Sequence, residues 1–152
     1  MTLYPLIKFF HLLAAMVWAG GMFFAYVILR PAASALTPPE RLSLWVRCFD
    51  RFFPLVWGSI AVLLLAGFWM LHQSGSLEVL STAFRIKIGL AIVMMMIFGH
   101  VVFAPFRRLR KAVAAADWPK AAWNLTQIRW IVLFNLSLAI IVIFLVVVRP
   151  GA

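Results

Sequence analysis

Four long apolar segments dominate this amino-acid sequence and limit what it can fold into. They cover about residues 4–29, 52–72, 84–106 and 128–148. A helix needs roughly 20 consecutive apolar residues to cross the hydrocarbon core of a bilayer. It also bonds its backbone groups internally, as a medium without water requires. The segments therefore predict an all-α membrane protein built as a four-transmembrane-helix bundle.

The composition agrees with a chain that folds in lipid. Hydrophobic residues make up 66% of the 152 positions and charged residues 12%, about half the charged share of a soluble domain. This length suits one membrane domain over residues 1–152. The first apolar segment is too long for the core of a secretory signal, and Arg30-Pro31 at its end is no small-residue cleavage site. The single cysteine, Cys48, excludes an internal disulfide.

The basic residues predict which way the helices cross the membrane. Ten of them flank the loops after the first and third segments: Arg30, Arg41, Arg47, Arg51, Arg107, Arg108, Arg110, Lys111, Lys120 and Arg129. The opposite side has four, namely Lys8, Arg85, Lys87 and Arg149. Because cytoplasmic loops are enriched in Lys and Arg, we expect both loops in the cytoplasm and both termini on the extracytoplasmic side. The net charge of +10 then indicates contacts with anionic membrane lipid, not with nucleic acid.

Two capping patterns predict where helices begin in the loops. Thr37-Pro38-Pro39-Glu40 has the form of a capping box, in which Thr and Glu satisfy each other's backbone donors and proline occupies the first helical position. It predicts a short cytoplasmic helix from Pro38 before the second span, with a bend at Pro54. Asp117 has the position of a second N-cap, so the fourth helix is expected to begin near Trp118.

Ionisable residues inside the apolar segments are candidates for function, because polar groups are costly at membrane depth. His11 lies on one helical stripe with Ala14 and Trp18. Its neutral imidazole suits heme iron or copper, and equally a hydrogen bond to a neighbouring helix. Lys87 could reach the outer headgroups or bind an anionic group. The run Met94-Met95-Met96 points in three directions on a helix, so we interpret it as packing and not as a copper site.

Helical depth separates the three histidines. At ~1.5 Å per residue, His11 and His100 differ in height by roughly 15 Å, whereas His72 lies closer in height to His11. His72 is therefore the preferred second ligand of a heme held by His11. Lys87 would then meet a heme propionate, with His100 in reserve as a ligand. His100 and Asn135 fall at a similar depth, so we expect a hydrogen bond between them across the third and fourth helices.

Several short motifs resemble a known family. Ile7-Lys8-Phe9-Phe10-His11-Leu12 and Trp18-Ala19-Gly20-Gly21-Met22 resemble the first helix of the copper-resistance protein D (CopD) family and of the related HemJ-type protoporphyrinogen oxidases. Ile86-Lys87-Ile88, Phe98-Gly99-His100 and Phe103-Ala104-Pro105-Phe106-Arg107-Arg108 resemble the small stand-alone CopD-type proteins of bacteria. The resemblance covers essentially the whole chain and implies a four-helix inner-membrane protein.

The resemblance implies one of two activities, depending on the branch of the family. One is b-type heme binding with oxidation of a tetrapyrrole. In that branch His11 and Lys87 match the conserved histidine and lysine of the HemJ type, and Trp18 is a candidate cofactor contact. The other activity is copper uptake. We therefore expect a heme-b redox protein, an electron carrier or a HemJ-like oxidoreductase, with copper transport or copper resistance as the alternative.

Three expectations remain open beside these. A cofactor-free structural or accessory membrane subunit is the third interpretation of the same apolar helices. A redox partner in the membrane belongs to the heme interpretation. A symmetric homodimer is the simplest assembly for so small and apolar a chain.

Overall fold

Helices account for nearly all of the residues that the computed structural model describes, which are 3–73 and 82–148. They form four successive rods. The first is α1 (Tyr4–Phe23), which continues through a π-helical segment (Phe24–Leu29), Arg30–Ala32 and Ala33–Ala35. The others are α2 (Pro38–Gln73), α3 (Thr82–Val101, continuing through Val102–Phe106 and Arg107–Ala114) and α4 (Trp118–Val148). Each rod is long and apolar enough to cross a membrane, so all four predicted spans are confirmed.

The short helix predicted before the second span is the beginning of α2 itself. α2 starts at Pro38, as the capping box predicts, and its 36 residues run without interruption through Pro54. A helix of that length is about 54 Å long, well beyond the ~30 Å of a hydrocarbon core. Its first turns therefore extend past the apolar layer. Pro54 has no backbone N–H, so one hydrogen bond of α2 is missing. Packing against neighbouring helices offsets such a loss in membrane proteins.

The predicted cap at Asp117 is present, and the capping box at Thr37 is present in one half, the bond from the Thr37 backbone N–H to the Glu40 carboxylate. The Thr37 hydroxyl donates a hydrogen bond to the Glu40 carboxylate, and the Thr37 backbone N–H donates a second one at 3.1 Å. These bonds hold the pKa of the Glu40 carboxyl, in the exposed first turn of α2, below its usual value. Asp117 Oδ1 accepts a hydrogen bond from the Lys120 backbone N–H at 3.2 Å, and α4 begins at Trp118. Local capping chemistry thus sets the starts of α2 and α4.

Prolines accompany two π-helical segments that the apolar pattern does not predict. Pro31 follows the segment Phe24–Leu29, and Pro105 lies inside the segment Val102–Phe106. A proline ring collides with the carbonyl four residues earlier and offers no N–H. A π turn, in which the bonded groups are five residues apart, absorbs that mismatch. Each wide turn also rotates the helix that follows it, so it changes where the following arginines point.

Aromatic side chains fill the centre of the bundle. Phe49 and Phe53 of α2 stack with their ring centroids 4.9 Å apart, and the edge of Phe106 meets Phe53 at 4.8 Å. Trp18 of α1 contacts Phe98 of α3 at 6.0 Å, ring edge to ring face. Each such pair contributes about 0.5–1.5 kcal/mol beyond its burial. This cluster joins three of the four rods.

The outer surface of the bundle is apolar. Large side chains point away from the protein, including Met16 at 65%, Leu65 at 74%, Phe68 at 74% and Val147 at 70% exposed. Soluble monomers rarely expose such continuous apolar surface, whereas lipid tails solvate it well. The surface therefore agrees with the four membrane spans.

Candidate functional site

His11 lies in the interface between α1 and α2, where Gly67 leaves space for its ring. A Cβ atom placed on Gly67 would lie 3.6 Å from His11 Cε1 and 4.0 Å from His11 Nδ1. The imidazole also forms a hydrogen bond with the backbone of Leu63, one turn before Gly67. The absence of a side chain at Gly67 therefore brings the ring against the α2 backbone.

One imidazole nitrogen of His11 has no hydrogen-bond partner. His11 Nδ1 is buried and has no hydrogen-bond partner, so we assign the bond with the Leu63 backbone to the Nε2–H. That bond selects the neutral tautomer with its lone pair on Nδ1. Metal-binding histidines commonly have this arrangement, in which one nitrogen donates to a backbone carbonyl and the other ligates the metal. His11 therefore presents a donor atom suited to a metal ion.

The other predicted ligands lie away from His11. His72 is exposed in the last turn of α2, five residues beyond Gly67 and so about 7.5 Å farther along the helix axis. His100 is exposed near the end of α3, and Lys87 is half-buried in the second turn of that helix. In the part of the chain that the structure describes, no group of three or more His, Cys, Asp or Glu side chains is placed to hold a metal ion. Among the described residues, a ligand set around His11 would therefore need donors of another type.

Trp18, the fifth predicted site residue, lies on the buried face of α1 two turns beyond His11. Its side chain is buried, and its edge contacts Phe98. Seven residues of helix separate it from His11 by about 10 Å. Packing in the aromatic cluster therefore accounts for the position of Trp18, and the predicted contact with a cofactor stays a prediction.

A narrow crevice penetrates the bundle beside Trp18. Its walls include Met22 of α1, Trp45 and Phe52 of α2, and Asn135 of α4. The crevice volume is about 30 Å³, which is room for about two water molecules. A heme does not fit into this space.

Asn135 forms a different hydrogen bond from the one that the sequence predicts. Its Nδ2 donates to the Met94 carbonyl at 3.4 Å, and its Oδ1 is buried without a partner. The predicted bond between Asn135 and His100 is therefore wrong. His100 lies six residues beyond Met94, about 9 Å along α3, and it is exposed. The two depths were counted along separate helices, whereas packing between α3 and α4 decides which of their residues lie opposite each other.

The three consecutive methionines of α3 have three different environments. Met94 is buried, Met95 packs partly against the core, and Met96 is 63% exposed. This distribution is what packing at successive helical positions produces. It agrees with the prediction that the run is not itself a copper site.

Two features of the site escaped the sequence analysis. Gly67 was treated only as one residue of an apolar segment, although it faces His11. Arg30, Arg41 and Arg129 were interpreted only as orientation signals, although they line one groove. The signal for Gly67 was its lack of a side chain at a depth close to that of His11. The convergence of the arginines has no equivalent signal in the sequence.

The fold and the site together define the class of this protein: a four-helix, multi-pass membrane protein with a histidine between its first two helices whose Nδ1 is buried and unpaired. The family model for copper resistance protein D (CopD) matches residues 46–149, more than half of the chain. The protein therefore belongs to the CopD family, as the sequence motifs indicated. The match spans most of α2 and all of α3 and α4, while His11 lies outside it. Neither the curated proteins nor the solved structures contain a significant match.

Proposed function

We propose that this protein binds and handles copper in the membrane and that His11 is a ligand of the copper ion. The observation that carries the proposal is the buried, unpaired Nδ1 of His11. Its lone pair is available because the Leu63 carbonyl occupies the other nitrogen. Imidazole and thioether donors together suit Cu(I). The family description, copper resistance protein D, favours copper over the heme that we expected first.

A Cu(I) ion needs at least one further donor beside His11. Met70 lies three residues beyond Gly67, so the two positions share a face of α2. Its side chain is half-buried, and its thioether is a soft ligand of the kind that Cu(I) prefers. His72 is less suitable, because it is two residues from Met70 and therefore points elsewhere. We assign Met70 as the second ligand.

The depth of His11 indicates from which side of the membrane a copper ion would reach it. His11 is the eighth residue of α1, about 10 Å from the N-terminal end of the helix. In the orientation predicted from the basic loops, that end is extracytoplasmic. Copper would therefore reach His11 from outside the cytoplasm of a bacterial cell.

The direct test is copper binding by purified protein under reducing conditions. We expect one Cu(I) per chain, measured by elemental analysis, and competition with a coloured Cu(I) chelator gives the affinity. Replacing His11 with Ala should abolish stoichiometric binding, because the fixed imidazole donor is gone. His100→Ala is the matched control, since it removes an exposed imidazole from the same bundle. Met70→Leu should weaken binding, whereas Met96→Leu, which removes an exposed thioether, should not.

Gly67 provides a second test that leaves every proposed ligand in place. A Cβ at this position makes an ordinary contact with the His11 ring, so Gly67→Ala should bind copper normally. Gly67→Leu should push the ring away from the Leu63 carbonyl. Loss of such a supporting hydrogen bond typically costs about 10–100-fold in metal affinity. Equal affinities for the two Gly67 variants would contradict this placement of the ring.

The absorption spectrum of the same preparation tests the heme alternative. A Soret band with sharp bands on reduction, lost in His11→Ala, would replace the copper proposal with heme binding at the same residue. A colourless protein that binds no Cu(I) would point to a structural or accessory subunit. Copper bound equally by wild type and His11→Ala would remove His11 from the site.

A further inference from the structure

Three arginines from different parts of the chain converge on one groove. Arg30 follows α1, Arg41 lies in the first turn of α2, and Arg129 belongs to α4. Together they line a groove of about 750 Å³ at the end of the bundle away from His11. This volume is within the range of small-molecule sites, about 300–1,000 Å³. The groove is therefore large enough for a ligand.

The positive charges of the groove are not neutralised from within. Arg129 is half-buried and close enough to Arg30 and Arg41 for their charges to repel it. No Asp or Glu is among the described residues that line the groove. The neighbouring Glu40 carboxylate is engaged by Thr37 at the start of α2. Like charges held together in this way favour binding of an anion between them.

An aromatic ring of the groove holds one of the three guanidinium groups in place. The guanidinium carbon of Arg30 lies 5.0 Å from the centre of the Tyr26 ring, a cation–π contact. Tyr26 belongs to the π-helical segment before Pro31, so the wide turn brings the ring under the arginine. The planar guanidinium fork pairs with phosphate through two parallel hydrogen bonds. Three arginines that line one groove, one of them held by an aromatic ring, favour a phosphate.

The remaining walls are mostly apolar and suit a ligand with a nonpolar portion. They include Val27, Leu42, Trp45 and Leu125. We propose that this groove binds a phosphate group attached to an apolar or glycerol-like portion. The source is either the headgroup of an anionic phospholipid or a soluble phosphate ester. The groove lies at the basic end of the bundle, where anionic lipid accumulates around Lys and Arg.

The test uses full-length protein, delipidated in detergent and then given defined additives. The additives are phosphatidylglycerol, phosphatidylcholine, glycerol 3-phosphate and inorganic phosphate. Thermal unfolding reports binding, and native mass spectrometry counts lipids that remain on the chain. We expect one phosphatidylglycerol per chain and a raised unfolding midpoint, with no such effect from phosphatidylcholine. Each guanidinium contact should be worth about tenfold in affinity.

Arg129→Gln and Arg41→Gln should each weaken this binding, and circular dichroism checks that they remain helical. Arg108→Gln is the matched control, because it removes the same charge from an exposed position outside the groove. Stabilisation by phosphatidylglycerol alone identifies a lipid headgroup, whereas equal stabilisation by glycerol 3-phosphate identifies a soluble ester. The proposal is overturned if no phosphate compound stabilises the wild type, or if Arg108→Gln weakens binding as much as Arg129→Gln. Copper binding at His11 is measured separately, so the two proposals fail independently.

Discussion

The close approach of α1 to α2 at Gly21 gives the sharpest quantitative prediction. A Cβ atom at Gly21 would fall within the van der Waals envelope of two Phe52 ring carbons, Cε2 and Cζ, and 3.3 Å from Cδ2. At Gly20, the preceding residue of the same helix, no atom lies within 4 Å of the added Cβ. Gly21→Ala therefore forces Phe52 to move, whereas Gly20→Ala forces nothing.

The neighbouring glycine lets the size of the effect be isolated. Replacing Gly by Ala inside a helix gains about 0.8–1.0 kcal/mol in water from helix propensity alone. The propensity gain should be the same for both variants, in water or in lipid, because the two positions are adjacent in α1. Overpacking a core contact costs about 1–3 kcal/mol. The free energy of unfolding of Gly21→Ala should therefore be lower than that of Gly20→Ala by about 1–3 kcal/mol.

The assay is reversible unfolding in mixed detergent micelles, followed by circular dichroism. Phe52→Leu supplies the control, because leucine lacks the outer ring atoms that the new methyl group meets. Combined with Gly21→Ala, it should recover most of the loss, with a coupling energy of about 0.5–3 kcal/mol, the range for residues in contact. Equal stability of the two Gly→Ala variants would refute the reasoning, since it would mean that the Phe52 ring moves aside without any loss of stability.

Three further predictions concern orientation, a buried amide and a surface ion pair. A membrane-impermeant thiol reagent should leave Cys48 unmodified in intact cells and label it after lysis; labelling of intact cells would reverse the predicted orientation. Asn135→Leu removes a long hydrogen bond to Met94 and an unpaired acceptor, so the free energy of unfolding should change by no more than about 1 kcal/mol. A larger loss of stability would reveal a bound molecule at Oδ1. Asp50→Asn breaks the exposed 3.4 Å ion pair with Arg110 and should lower the free energy of unfolding by less than about 1 kcal/mol. Salt screens exposed charges, so a loss of stability that persists in high salt would show that Asp50 stabilises the protein by another interaction.

The helices themselves were predictable, because each depends on residues close together in the chain. Apolar length predicted the four spans, and Thr37 and Asp117 predicted the starts of α2 and α4. The π-helical segments were not predicted, although Pro31 and Pro105 were visible. A proline is compatible with a kink, a break or a wide turn, and the surrounding packing selects among them.

The predictions about the site were less accurate where they required two helices to be aligned. The ligand role of His11 stays a prediction, although its Nδ1 is buried without a hydrogen-bond partner. Asn135 was expected to bond to His100, but it donates its hydrogen bond to the Met94 carbonyl. Depth counted along each helix separately could not resolve a shift of six residues. The relative height of two helices is set by the contacts between them.

The sequence by itself determined that this protein is a helical membrane protein. In lipid the backbone N–H and C=O groups of such apolar segments have no water to bond, and a helix pairs them within each segment. Only the tertiary structure decided that Gly67 faces His11 and that Arg30 and Arg129 line the same groove. These pairs are more than 50 residues apart in the chain, so their meeting depends on how the helices are rotated and offset. An extra residue in a π turn rotates everything beyond it by about 100° around the helix axis. Packing of the aromatic core, and not local pattern, fixes those rotations.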